Sequence, residues 1–342
     1  MNRLNSGKSP TKKRTAQKIL LWLLTIIIFS ITGGFIYKRI VEEIVLVGQI
    51  QIEFSPHRIA LSLVSIFLSA LFGSWIWNKI LDALGLPLFP LQAMYIHLIS
   101  NLSKYVPGLI WPYVGKALLA ARNNIPVNLV LMSIIWEFTF VGLGGLAWLI
   151  FSLPFCNFLH PLNRFILWFE ILGLTFLGLT IYFLPKIMAG IIRIFNLWNS
   201  HFLGTILVKT DWRKIRLLFL YVFLGWGFFI AGFVLLIPFN ISAPLDLARL
   251  IFAFVSSFLI GLIFFLVPLG LGIREATLIS LLSPDLNALS VFEVSILFRL
   301  VMIVGEVLSA LLLMALAKRF QKRAPTGWNK SLRGGENKRD FQ

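Results

Sequence analysis

Two short stretches of the chain combine backbone breaks with charged residues, and they are the best candidates for binding chemistry. The more compact one is Pro268-Leu-Gly-Leu-Gly-Ile-Arg-Glu275, which lies between two apolar runs. Proline lacks a backbone donor and glycine costs backbone order, so a continuous helix is disfavoured here. In a membrane, broken backbone and charge persist only where protein or water surrounds them. The candidate site residues in this stretch are Pro268, Gly270, Gly272, Arg274 and Glu275.

The earlier stretch, residues 103–116, has the same character. Its basic residues are able to hold a phosphate, and the half-helix expected after Pro107 would add partial positive charge at its N-terminus. This composition suits a phosphate-bearing amphiphile. Basic side chains reaching the interface beside an aromatic belt would explain the same pattern, and the sequence leaves both readings open. The candidate residues are Lys104, Tyr105, Pro107, Gly108, Trp111 and Lys116.

Three further charges, Glu137, Arg299 and Glu306, lie deep within apolar segments. Each costs several kcal/mol at the centre of a bilayer, so such residues are functional candidates. Arg299 and Glu306 are seven residues apart and share a helix face. The charges form either an ion-pair network that fixes helix packing or a polar cavity that binds a headgroup or carries protons. We expect Arg274 to meet a headgroup phosphate or Glu306, and Glu275 to meet Arg299, another cation or a backbone donor.

The motifs of common enzyme classes are missing. The chain has no Walker A sequence, no G-x-S-x-G, no H-E-x-x-H and no EF-hand loop. It has one cysteine and four scattered histidines (His57, His97, His160 and His201), which we interpret as structural residues. We therefore expect no catalytic residue, no metal site, no cofactor and no enzymatic activity.

The elements that must position these residues are membrane helices. Hydrophobic residues make up 58% of the 342 residues and charged residues 13%, about half the share of a soluble domain. The composition predicts an all-α polytopic integral membrane protein. The net charge of +17 is concentrated in residues 1–18, 185–216 and 318–342. Such basic segments mark the cytoplasmic side and attract anionic lipid, which explains the charge without nucleic acid.

The apolar segments give a topology of about eight crossings. The basic tails 1–18 and 318–342 flank a membrane domain, 19–317, and both are expected in the cytoplasm, which requires an even number of crossings. Region 86–121 is then a re-entrant hairpin, and the broken segment 268–285 supplies the eighth crossing. Five aromatic residues near segment ends are interpreted as interfacial: Trp75, Trp77, Trp168, Trp212 and Tyr182. The seven clear segments are 19–37, 59–77, 127–152, 165–184, 217–237, 247–267 and 292–317.

The two broken regions resemble each other. Each leads to a charged position and then to a proline, Pro126 or Pro284. A long apolar segment with a glutamate follows, Glu137 in one case and Glu306 in the other. Repeats built around discontinuous helices are a common transporter pattern. An internal repeat and a chance similarity both remain open at this point.

The two stretches also resemble a known family. Lys104-Tyr105-Val-Pro107-Gly108-Leu-Ile-Trp111, with Gly115-Lys116 after it, resembles the K-Y-x-P-G-x-x-W motif and following G-R of the lysylphosphatidylglycerol synthase transmembrane-region family. Pro268 to Glu275 is similar to the second motif, P-x-G-x-G-x-R-E, and Glu137 also fits. Lys116 stands where arginine is usual, which keeps the charge but loses the planar fork.

This resemblance implies a flippase-like membrane domain. Members include the membrane half of the bacterial multiple peptide resistance factor, which moves aminoacylated phosphatidylglycerol between leaflets. The chain lacks the soluble synthase domain of that protein, so the resemblance argues against lipid synthesis. The expected function is a lipid flippase of the cytoplasmic membrane whose partners are anionic or phosphate-bearing membrane lipids. Because no ATP site is visible, movement would be facilitated or ion-coupled.

Two alternatives belong to other function classes. The chain would be a non-transporting membrane partner that presents lipid to a separate lipid-modifying or glycosyl-transferring enzyme. The second alternative is a membrane-embedded transferase that uses Glu137 or Glu275 as a general base, although the sequence shows no recognisable arrangement of a nucleophile with its base. The sequence leaves the lipid, the direction of movement, the energy coupling and the oligomeric state open.

Overall fold

The described residues of the computed structural model are 55–86, 88–105, 110–123, 125–153, 168, 171–176, 178–183, 186, 212–237, 244–263, 272–282 and 288–321. Over these residues the chain is all-α, with no strand. The helices are α1 (Pro56–Ala83), α2 (Pro90–Leu102), a 3-10 turn (Ser103–Tyr105), α3 (Trp111–Ala121), α4 (Val127–Ser152), α5 (Trp212–Val234), α6 (Pro244–Ile263), α7 (Ile273–Leu282) and α8 (Ala288–Gln321). Residues 171–176 and 178–183 are also helical.

These helices belong to one compact unit, Glu53–Lys104 with Leu109–Gln342. The other unit, Met1–Ile52 with Tyr105–Gly108, contributes only Tyr105 to the described residues. Everything that follows concerns the first unit.

Prolines and one glycine set several helix boundaries. Proline occupies the first turn of α1, α2 and α3, where a missing backbone donor costs nothing. At the other end of α1, Gly85 adopts a φ of 75°, which favours glycine. The Leu86 N–H donates to the Leu81 carbonyl at 2.9 Å and the Gly85 N–H to that of Asp82 at 3.0 Å. This is the Schellman closure, and it turns the chain sharply toward α2.

Four helices are long and apolar enough to cross a bilayer: Pro56–Ala83, Val127–Ser152, Arg216–Val234 and Ala288–Ala317. They coincide with four of the predicted segments, and the prediction of an all-α membrane-embedded protein is confirmed. The predicted segment 247–267 corresponds to α6, whose apolar part is Leu247–Ile263. Segment 19–37 lies outside the described residues, and 165–184 is described only in part. The number of crossings therefore stays a prediction.

The short helices lie in the regions where breaks were predicted. Helix α7 has 10 residues and is about 15 Å long, half of the roughly 30 Å hydrocarbon core. Helices α2 and α3, on either side of the first break, have 13 and 11 residues. They pack on each other, as the two arms of a re-entrant hairpin do. The described part of 268–285 does not reach across a bilayer.

The helices pack as two matching sets of four, α1–α4 and α5–α8. The most extensive contact joins α1 to α5. The contacts α1–α8, α2–α8, α2–α3 and α3–α4 are matched by α5–α4, α6–α4, α6–α7 and α7–α8. Exchanging each helix with its counterpart therefore reproduces these contacts. The packing supports the repeat that the sequence left open.

Small residues let α1 and α5 approach closely. A side chain added at Gly232 would place its Cβ 2.6 Å from Ile66 Cδ1, so Ile66 would have to shift to make space for it. Nearby, the Ser62 hydroxyl donates to the Gly232 carbonyl at 2.5 Å, and the Ser69 hydroxyl donates to the Gly225 carbonyl at 3.1 Å. Close packing of this kind, with hydroxyl groups as cross-links, stabilises helix pairs in membranes. This contact forms one wall of the site described next.

Candidate functional site

A cavity of about 230 Å³ lies among six helices, α1, α2, α4, α5, α6 and α8. Most of its wall is apolar or aromatic and includes Phe140, Trp226, Phe229 and Phe258. The polar and charged residues of the wall are Ser69, His97, Asn101, Lys104, Glu137 and Glu306. A few polar groups in an otherwise apolar pocket are typical of sites that orient a ligand.

Residues from three helices form the first charged cluster of the cavity. Lys116, on α3, is 2% exposed and donates to Glu137 of α4 with an Nζ–Oε2 distance of 2.5 Å. The same ammonium lies 3.3 Å from His97 Nδ1, on α2, and His97 Nδ1 is 3.7 Å from the other Glu137 oxygen. Asn101 holds the far side of the ring, since its Nδ2 is 2.8 Å from His97 Nε2. Glu137 and His97 line the cavity, whereas Lys116 lies behind them.

Trp77 supports this cluster from α1. Its ring lies 5.1 Å from Lys116 Nζ, within the range of a cation–π contact, and its indole N–H donates to the Ser133 hydroxyl at 3.1 Å. The side chain is 0% exposed. The expectation that Trp77 is an interfacial aromatic residue is therefore wrong, because a tryptophan with a cation over its face and a partner for its N–H is satisfied inside the bundle.

A second ion pair closes another part of the cavity wall. Lys104, in the turn after α2, donates to Glu306 of α8 at 2.6 Å. Its side chain is 29% exposed and that of Glu306 is 16% exposed. Both residues line the cavity, so the pair ties the first broken region to α8 and still meets the cavity.

The second broken region builds a separate charged cluster. Glu275 is 7% exposed, pairs with Arg299 of α8, and lies 3.4 Å from the Ser295 hydroxyl. Its other oxygen accepts the Gly272 N–H at 2.7 Å. Gly272 has a φ of 83°, which favours glycine, and it begins the first turn of α7. A glutamate that reaches back to the residue before its helix is half of a capping box, so Glu275 fixes both the start of α7 and its contact with α8.

The Arg274 side chain packs against helix α6. Its guanidinium carbon is 4.2 Å from the centre of the Phe258 ring on α6, a cation–π distance. It also packs against Gly261, where a Cβ would fall 2.6 Å from Arg274 Nε. That Nε is buried and has no hydrogen-bond partner among the described residues. The expected pair with Glu306 is not formed, because Glu306 is taken by Lys104 from the other broken region.

The charged cluster around Glu137 and the one around Glu275 adjoin two different cavities that share part of their walls. Arg274, Glu275 and Arg299 line a small cavity of about 20 Å³, room for a single water. Phe258 and Met302 line both this cavity and the large one. Arg299 and Glu306 share a face of α8, as predicted, but Arg299 meets the small cavity and Glu306 the large one.

The paired helices carry opposite charges in the two sets. In the first set the short helix α3 supplies the cation, Lys116, and the long helix α4 supplies the anion, Glu137. In the second set α7 supplies the anion, Glu275, and α8 the cation, Arg299. In each set an ion pair therefore joins the short helix to the long helix that follows it, but the cation and the anion are exchanged between the two helices.

The predicted site residues occupy several places, and Gly272 is the residue that precedes α7 and donates its N–H to Glu275. Lys104, Glu137 and Glu306 line the large cavity, and Arg274, Glu275 and Arg299 line the small one. Lys116 is buried beside Glu137, and Trp111 is 39% exposed at the start of α3, away from the cavity wall. Tyr105 belongs to the other unit. Pro107, Gly108, Pro268 and Gly270 lie outside the described residues.

From the sequence, His97 is interpreted as an isolated structural histidine, and Asn101 does not stand out at all. The structure places both residues in the cavity wall. A signal was available: His97, Asn101 and Lys104 are spaced four and three residues apart, so they face one side of α2 and the turn that follows it. In the parts of the chain that the structure describes, no group of three or more metal-ligating side chains is found. No protein-family model matches the chain, and no curated protein matches it.

Proposed function

We propose that the protein is a lipid translocase of the cytoplasmic membrane that admits a phosphate-bearing headgroup to the large cavity while the acyl chains stay in the bilayer. One observation carries the proposal: a cavity with a mainly apolar and aromatic wall contains a polar corner with Lys104, Glu137 and Glu306. A lipid has a polar headgroup and apolar chains, so its binding site needs a polar surface beside an apolar one. Charged residues at this depth are costly, and a polar ligand path is their usual use in membrane proteins.

The family resemblance supports the same proposal. The two motif-bearing stretches lead into the short helices α3 and α7, and their charged residues Lys116 and Glu275 make the links to α4 and α8. We propose on this basis that the chain is related to the lysylphosphatidylglycerol synthase transmembrane-region family. The large cavity is lined by helices of both matching sets, and transporters built from repeats bind substrate at the interface between the repeats.

For the topology we propose that both termini and the basic segment 185–216 lie in the cytoplasm. Because the two helix sets match, we also propose that α6 and α7 form a second hairpin. This hairpin enters from the outer side, whereas α2 and α3 enter from the cytoplasmic side. With the predicted segments 19–37 and 165–184, this arrangement has six crossings and two hairpins in place of the eight crossings and one hairpin predicted from the sequence, and it keeps both termini on the same side. A re-entrant break within protein is compatible with the rule that lipid-exposed broken backbone is too costly.

A role as transferase receives no support from the geometry. Glu275 accepts a backbone N–H and pairs with Arg299, so its lone pairs are engaged in structure rather than poised for proton abstraction. Glu137 is engaged by Lys116 in the same way. The role of non-transporting lipid partner uses the same cavity, and only a transport measurement separates it from translocation.

The experiment is a leaflet-resolved assay with purified protein in liposomes that contain a trace of fluorescent phosphatidylglycerol. A membrane-impermeant reductant quenches the outer leaflet only. A translocase makes the inner-leaflet lipid accessible, so the quenched fraction rises above that of protein-free liposomes. If the protein binds phosphatidylglycerol but the quenched fraction does not rise, the function is lipid presentation rather than translocation.

A further inference from the structure

The charges around the large cavity are already balanced. Among the described residues, its charged lining consists of Lys104, Glu137 and Glu306, and Lys116 stands directly behind Glu137. Two ammonium groups therefore offset two carboxylates. An anionic headgroup that enters this apolar surrounding adds a negative charge with no counterpart, and uncompensated charge in a low-dielectric site is costly.

His97 is the titratable group placed to supply the missing positive charge. It is 4% exposed, lines the cavity and has an imidazole nitrogen that can accept a proton. Gly73 of α1 faces the ring, since a Cβ there would lie 3.8 Å from His97 Nε2, an ordinary contact distance. The ring is also close to Trp77, with 6.0 Å between ring centres.

The contacts of His97 allow two charge states. In the neutral state Nδ1 accepts from Lys116, 3.3 Å away, and Nε2–H faces the Asn101 amide, which can present its oxygen. In the protonated state the imidazolium forms an ion pair with Glu137, whose nearer oxygen is 3.7 Å from Nδ1. The neutral state is favoured in the empty cavity, because burial and the adjacent ammonium both oppose a second cation. An anion in the cavity removes that opposition.

We propose that binding of an anionic phospholipid headgroup in the large cavity is coupled to uptake of one proton by His97, so that headgroup and proton move together without net charge. The proton adds to the Nδ1 lone pair on binding and leaves when the headgroup departs. The groups that face His97 are Lys116 from α3, Glu137 from α4, Lys104 from the turn after α2 and, across the cavity, Glu306 from α8. Helix α1 contributes the uncharged Trp77 and Gly73. This inference rests on the proposed lipid site.

The test is isothermal titration calorimetry of the full-length protein in detergent with dihexanoyl-phosphatidylglycerol. Binding heats in buffers of different ionisation enthalpy give the number of protons taken up. We expect about one proton per bound lipid, and an affinity that falls roughly tenfold per pH unit once His97 must be protonated to bind. His97→Gln should abolish both effects. The matched control is His57→Gln, because His57 is exposed at the start of α1 and lies outside the cavity.

Dihexanoyl-phosphatidylcholine, whose headgroup has no net charge, should bind without proton uptake. Phosphatidylglycerol binding that takes up no proton overturns the inference and leaves the lipid site intact. Uptake that persists in His97→Gln overturns the assignment to His97. If neither lipid binds to the wild-type protein, the proposed lipid site fails and the inference fails with it. If His97→Gln does not purify, the wild-type pH dependence decides, since a flat profile contradicts the proposal.

Discussion

Lys116 and Glu137 form a 2.5 Å ion pair that joins the short helix α3 to the long helix α4, and the lysine is 2% exposed. The pair connects the first broken region to the cavity wall, because Glu137 meets the cavity and Lys116 does not. A buried lysine with one carboxylate partner depends strongly on that partner. The stability of this part of the bundle is therefore sensitive to single substitutions at either residue.

The first prediction follows from that dependence. Lys116→Met and Glu137→Gln each leave one member of a buried pair alone, so each should lower the free energy of unfolding by about 3–5 kcal/mol. The double variant should be more stable than either single variant, because no unpaired charge remains. Thermal unfolding in detergent of the four proteins gives the coupling energy. Additive effects would show that the two residues do not interact.

A second prediction concerns the difference between Lys104 and Lys116. The Lys104 side chain is 29% exposed and lines the cavity, whereas that of Lys116 is 2% exposed. In a background with Cys156 replaced by serine, Lys104→Cys should react with a water-soluble maleimide and Lys116→Cys should stay protected. Equal reactivity of the two cysteines would contradict the placement of Lys116 behind the cavity wall.

The membrane class and most long helices were predictable from the sequence, because an apolar run of sufficient length has few alternatives. The partners of the charged residues were less predictable. Glu275 meets Arg299, one of its expected partners, and the two residues lie 24 positions apart on the consecutive helices α7 and α8. Glu306 instead met Lys104, which comes from the other broken region and lies more than 200 positions earlier. Such a pair depends on how the two helix sets pack, and a single sequence does not specify that packing.

Trp77 shows the same limit. Its position near the end of an apolar segment is typical of an interfacial tryptophan. The structure buries it because Ser133 satisfies its N–H and Lys116 lies over its ring. Both partners come from other helices, so the segment containing Trp77 carries no signal of them.

A third prediction concerns Arg274. Arg274→Lys keeps the charge but loses the planar group that lies over Phe258. The protein should insert and purify normally, while lipid translocation falls sharply, because Phe258, over which the guanidinium lies, also lines the large cavity. Unchanged translocation by a well-folded Arg274→Lys protein would assign Arg274 to packing alone.

Gly261→Ala tests the same contact from the facing helix. Its Cβ would fall 2.6 Å from Arg274 Nε, so the arginine must move away from Phe258. We expect translocation to fall as in Arg274→Lys. The matched control is Gly142→Ala in α4, where an added Cβ meets nothing within 4 Å and alanine favours the helix. Equal activity of the two alanine variants would assign the contact between Arg274 and Phe258 to packing alone.

The topology gives a fourth prediction. Reporter fusions at Asn199 and after Phe320 should both report the cytoplasm, because the Lys/Arg excess of 185–216 and of the C-terminal segment favours that side. A signal from the outer side at either position would contradict the proposed orientation.

The central claim is that the large cavity carries a lipid headgroup between leaflets, and it is tested most directly by the rate of phosphatidylglycerol translocation in Lys104→Gln. This variant removes the cavity's lining cation and leaves Glu306 without its lysine. The matched control is Lys214→Gln, since Lys214 is 51% exposed and its bond to Asp82 lies away from the cavity. We predict that liposomes with wild-type or Lys214→Gln protein translocate the lipid at similar rates, whereas a folded Lys104→Gln protein falls to near the rate of protein-free liposomes. Equal rates for Lys104→Gln and Lys214→Gln would contradict the account.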